Sequence, residues 1–158
     1  MKLITTLLFL VMSLTAAAAQ NADNLFSRID QVFQLKEPDW KVERVYPTST
    51  LDPVTHDVVY RSKMGQATID VSVWRREQDA REVFRGQVIA FDNTAGKKRL
   101  KRSLPNVGDE NYLWTNPRST AWPTIKLRKG RILVSVFAPT VPIAKRFADH
   151  VLKQIDAS

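Results

Sequence analysis

Ala67-Thr68-Ile69-Asp70-Val71-Ser72-Val73-Trp74 alternates apolar and polar side chains without a break, the period of a strand with one face against a core. From Gln78 the period changes. Ala80, Val83, Phe84, Val88 and Phe91 recur at three and four, as one face of a helix does. Arg76, Glu77, Arg81 and Glu82 fall mostly on the other face, with Glu77 and Arg81 spaced as a favourable i,i+4 pair. A strand feeding directly into an amphipathic helix sets the class as mixed α and β. The helix should end before Gly96, after Asp92, Asn93 and Thr94.

Working outward, Asp57 to Lys63 reads as a second strand. Gly65 in the short connection supplies the positive φ of a hairpin turn. Pro47 to Asp57 collects Pro47, Ser49, Asp52 and Pro53 without apolar periodicity and is expected to be a loop. Trp40 to Tyr46 reads as a short first strand. Before it, Leu25, Ile29, Val32 and Phe33 draw a stripe along a helix over residues 24–35, with Asp23 or Asn24 as its cap. Beyond the central helix, Tyr112 to Thr115 is a short aromatic strand. Trp122 to Lys129 and Arg131 to Ala138 form a second hairpin around Gly130, and the latter strand is apolar on both parities, as a central strand covered on two faces should be. Thr140 is placed to cap a last helix whose stripe is Ala144, Phe147, Ala148, Val151, Leu152 and Ile155. The expected fold is α+β, an antiparallel sheet of about five or six strands packed between helices.

The first residues belong to a different kind of segment. Lys2, the apolar block Leu7 to Met12 and the small residues Ala16 to Ala19 follow the order of a secretory signal, with Ala17 and Ala19 suiting cleavage before Gln20. The block is too short to span a bilayer core of about 30 Å. Residues 1–19 are therefore expected to be removed, leaving residues 20–158 as one domain, exported to the periplasm or beyond, with no transmembrane segment after the signal. There is no cysteine, which excludes disulfides, thiolate metal sites, cysteine nucleophiles and a lipid-modified cysteine at the cleavage site. Lys and Arg number 24 against 16 Asp and Glu, so the surface should attract polyanions without choosing among them.

Leu104-Pro105-Asn106-Val107-Gly108-Asp109-Glu110-Asn111-Tyr112, followed by Arg128-Lys129-Gly130-Arg131-Ile132-Leu133-Val134 and a terminal helix, resembles small exported PsbP-like domains. These include lipoproteins and extracytoplasmic sensor domains, often with a "GxGDEAY" turn and an "RKGNVLV" strand before the last helix. The resemblance covers roughly residues 104–156. It implies an α/β/α sandwich and says little about activity, since one fold hosts many functions. Asn106 stands where the first glycine of the turn is usual, and the cysteines of the sensor members are absent.

Catalytic motifs are absent: there is no H-E-x-x-H, no G-x-S-x-G and no phosphate-cradling glycine loop. His56 reads as a loop residue and His150 as a solvated helix residue beside Asp149. Paired carboxylates distant in sequence stay open as an enzyme's acid and base, because spacing cannot show them. Asp109-Glu110 is read as a turn after Gly108 rather than a cation site, and no cofactor or metal is expected. Lys97, Lys98, Arg99, Lys101 and Arg102 form the densest charge run, either a polyanion-binding tract or the solvated face of an edge strand. Trp40 and Trp114 read as core, whereas Trp74 and Trp122 are candidates to line a groove, unless a helix covers Trp74. The expected function is an exported, non-catalytic binding domain, its partner an anionic polymer, an acidic protein or an envelope component. A small hydrolase and an accessory subunit of an envelope assembly are the alternatives. Sequence-specific nucleic-acid binding is not expected, because no recognition motif is present.

Overall fold

The computed structural model describes residues 21–46, 49, 52–95, 100–115 and 122–158. The signal and its cleavage site, Lys97 to Arg99 and most of the 47–51 loop therefore lie outside the described residues. Helix α1 (residues 21–36) precedes strands β1 (Lys41–Val45), β2 (Val54–Ser62) and β3 (Gly65–Val73). Helix α2 (Glu77–Ala95) leads to β4 (Leu100–Arg102), β5 (Glu110–Thr115), β6 (Thr124–Lys129) and β7 (Ile132–Phe137), and α3 (Val141–Asp156) closes the chain.

The described strands make one sheet in the order β1-β2-β3-β7-β6-β5-β4, with every neighbouring pair antiparallel. The chain winds inward as a three-strand meander, crosses through α2, and winds back from the far edge so that β7 docks on β3. The sheet thus has seven strands where five or six were expected. The extra one is β4, whose three residues fall inside the basic run and carry no apolar alternation by which to find them.

The alternation quoted at the outset sorts the two faces. Ala67, Ile69 and Val71 of β3 join Val58, Tyr60, Leu113, Ile125, Leu127, Val134 and Val136 in one core beneath α1 and α3. On the opposite face Ala80, Phe84 and Val88 of α2 pack with Trp114 and Leu133, and Trp74, Val83, Phe91 and Tyr112 lie around them. Strand β7, fourth of the seven, supplies Leu133 to one side and Val134 and Val136 to the other, as its two apolar parities require. Thr140 caps α3 with its side chain accepting from the Ile143 amide, and the whole expected stripe is buried.

Two local expectations are corrected. Asp23 and Asn24 lie inside α1 and do not cap it, because the helix is already formed at residue 21. Strand β2 begins at Val54, so the expected loop ends earlier; Val54, His56, Val58 and Tyr60 alternate onto the α1–α3 face. Trp74 is half-buried against the α2 cluster, and its indole N–H donates to Ser72 Oγ at 3.3 Å.

Candidate functional site

The turn at Gly108 is built around a buried arginine. Gly108 has φ 64°, and a Cβ there would stand 2.6 Å from the Arg128 carbonyl oxygen. The Asp109 amide donates to that carbonyl at 2.8 Å, and Asp109 Oδ2 accepts from the Gly130 amide at 2.7 Å. Arg128, only 3 % exposed, donates to Glu110 at 2.9 Å and Glu77 at 3.1 Å, with Asp109 3.2 Å away. Asn111 binds the Leu104 amide and carbonyl and the Val107 carbonyl, holding the 104–111 segment against β5. The motif that carries the PsbP-like resemblance is therefore a clasp joining β5, the β6–β7 turn and the start of α2, with its acidic side chains spent on Arg128.

Both histidines have structural partners. His56 is buried in β2, its Nε2 3.0 Å from Asp30 of α1 and its ring stacked on Phe26 at 4.8 Å. His150 Nε2 lies 3.0 Å from the buried Glu37, which also holds Arg146 through two bonds of 2.6 and 2.9 Å. Neither is the solvated residue its polar surroundings in sequence suggest, because Asp30 of α1 and Glu37, the residue after α1, lay a carboxylate against each. Deep burial, with the Asp30 carboxylate nearby, raises the Tyr60 phenol well above its usual range.

What remains is a polar row that no sequence motif announces. Register places Asp57 of β2 opposite Asp70 of β3, Asp70 opposite Ser135 of β7, Ser135 opposite Lys126 of β6, and Lys126 opposite Tyr112 of β5. The row crosses five strands on the face that α2 covers only in part. Directly opposed side chains in antiparallel strands sit about 5 Å apart at Cβ, and like charges there repel. Burial, reinforced by Asp57 and opposed by Lys126, pushes Asp70 up to about 6. Burial raises Asp57 as well, against the charge of His56. Lys126 is drawn down by burial, with Asp70 working the other way; its Nζ donates to Ser135 Oγ and to Gln87 of α2, both at 3.1 Å. Among the described residues no hydrogen bond or ion pair partners either aspartate side chain. The Lys126 ammonium reaches across to Ser135, the residue opposite Asp70, so its charge acts on the Asp70 carboxyl without a hydrogen bond between them. The row offers two acceptors at one end and a donor at the other. Among the described residues no cluster of His, Asp and Glu suits a metal ion.

The candidates from the sequence lie elsewhere. Lys101 is bound to Asp92 at 2.6 Å and sits 4.1 Å from the Tyr112 ring centroid. Against burial, that bond and one from the Trp114 indole N–H hold the Asp92 carboxyl below its usual range. Arg102 is exposed on the outermost strand, β4. Trp122 is 38 % exposed, while Trp40 and Trp114 are core as expected. Neither Trp74 nor Trp122 joins the polar row. The row escaped sequence reading because Asp57, Asp70, Lys126 and Ser135 look like ordinary outward residues of four strands, and only register aligns them.

No protein-family model matches this chain, and no curated protein does. Among solved structures, it is similar to a GTP binding regulator from Thermotoga maritima, with 17 % identity, a TM-score of 0.44, and coverage of 78 % of this chain and 83 % of that one. That overlap transfers no function.

Proposed function

We propose that this chain is an exported, non-catalytic binding domain of the PsbP-like kind, with the polar row beside α2 as its ligand-facing surface. The order of Lys2, apolar block and alanine run supports export. The clasp around Arg128 and the helices on both faces of an antiparallel sheet support the PsbP-like reading. One observation carries the placement of the site: Asp57 and Asp70 oppose each other, half-buried and without a hydrogen-bond or ion-pair partner among the described residues, where sheet stability alone would favour neutral side chains. Strongly shifted titratable groups gather where a ligand or a reaction needs them. A cationic group of a partner would relieve the repulsion, and Lys126 would meet an acceptor further along the row. The basic run is a second surface, suited to an anionic envelope component.

A small hydrolase is the second reading, favoured by the same pair, since two opposed carboxyls both raised by burial, Asp70 to about 6, are a pair that can divide acid and base roles. The experiment is capture from the cell envelope with three forms: wild type, Asp57→Asn with Asp70→Asn, and Lys97, Lys98, Arg99, Lys101 and Arg102 all changed to Gln. Loss of a partner in the aspartate variant assigns it to the row. Loss in the glutamine variant and in a high-salt wash assigns it to the basic run. A partner held equally by all three forms defeats both placements, and no partner at all defeats the binding reading.

A further inference from the structure

We propose that the edge strand β1 pairs with β1 of a second copy about a twofold axis, making a dimer with one continuous antiparallel sheet. Among the described strands β1 lies at an edge of the sheet, and all five of its residues are exposed. Its apolar side chains are uncovered too: Val42 is 49 % exposed, Val45 51 % and the adjoining Tyr46 44 %. An uncovered edge with unpaired amides and carbonyls is a template for another strand.

Lys41-Val42-Glu43-Arg44-Val45-Tyr46 is self-complementary when reversed. A copy running antiparallel, with Val42 opposite Val45 of the second copy, also sets Glu43 opposite Arg44 and Lys41 opposite Tyr46. Twofold symmetry then makes each pair twice. In a regular strand this register is forbidden, because Val42 and Val45 would point to opposite faces while the axis requires the same face. The irregularity in β1 removes the objection. Val42 pairs with Tyr60 and Val45 with Val58, the register slipping between Val42 and Arg44. Tyr60 and Val58 both belong to the α1–α3 core, so the two valines share that face. Lys41 and Arg44, paired with Arg61 and Val59, share the other, where Glu43 also reaches Arg61 at 2.8 Å. Bulges commonly protect edges by spoiling the count of residues against a partner. Between two copies of this strand the counts match, and each bulge meets the other across the axis. The apolar pair, the ion pair and the cation over an aromatic ring are thereby matched in one register.

The cysteine-free sequence allows a direct test. Val42→Cys and Val45→Cys are made separately, mixed and mildly oxidised. The expected result is a cross-linked dimer in the mixture and little in either variant alone, since residue 42 faces 45 and lies too far from its own copy for a disulfide. In sedimentation velocity the wild type should associate with rising concentration. Arg44→Glu should weaken association by about tenfold or more, and adding Glu43→Arg to it should restore association by exchanging the charges. Monomeric wild type throughout, cross-linking as strong in the single variants as in the mixture, or no rescue by the exchange would each overturn the proposal.

Discussion

Asp70 is the residue whose chemistry says most about the polar row. Its carboxyl is raised by burial and by Asp57 across the strand pair to about 6, above its ordinary value of 3.8. The sign follows: a carboxyl whose folded value is raised loses stability as pH climbs through that value, and the loss vanishes once it is protonated in both states. Asp70→Asn should therefore stabilise the protein by about 1–2 kcal/mol near pH 8, allowing for partial solvent screening, and by close to nothing near pH 4. Urea unfolding of the two forms at both pH values measures it; equal gains at both would show that ionisation is not the cause. Arg128 is the opposite case, a buried cation answered by Glu77, Asp109 and Glu110. Arg128→Leu leaves three carboxylates clustered with only the more exposed Arg81 and Arg85 near Glu77 and Glu110, and should cost about 3 kcal/mol, again read by denaturant unfolding.

At the scale of elements, two glycines separate what a helix needs from what the clasp needs. Gly86 sits on the exposed side of α2 with nothing within 4 Å of an added Cβ. Gly86→Ala should raise stability by about 0.5–1 kcal/mol through helix propensity alone. Gly108 combines a φ of 64° with a backbone oxygen 2.6 Å from the same added atom, so Gly108→Ala should destabilise by about 2 kcal/mol or more. Thermal unfolding of the two variants should shift in opposite directions. Both helices of the α1–α3 layer were legible from spacing, but their polar anchors were not. His56 and His150 read as loop and surface because the Asp30 and Glu37 that meet them come from α1 and the residue that follows it, far away in sequence.

For the whole molecule, the order β1-β2-β3-β7-β6-β5-β4 puts the last strand at the centre and the first at one edge. Stability should grade accordingly, since a strand covered on both faces opens only when the core opens. Amide exchange is expected to be slowest in β7 and β3 and fastest in β1 and β4. Uniform protection across the sheet would contradict a single core graded from centre to edge. The described helices include none long and apolar enough to cross a membrane, and the net charge of +8 gives the surface its leaning toward anionic surroundings.

The α+β class, the two hairpins, the helix periods, the cap at Thr140 and the two-sided character of β7 were all determined by the sequence, because each depends on residues within about one element of one another. Strand β4 was not legible, since three residues of a charge run hold no period. The partners of His56, His150 and Arg128 were equally hidden, and so was the row from Asp57 to Lys126. Those depend on which strand lies beside which, and in what register. That choice is made by burying the α1, α2 and α3 stripes on the two faces of one sheet, an energy distributed over the whole chain and recorded in no local stretch of it.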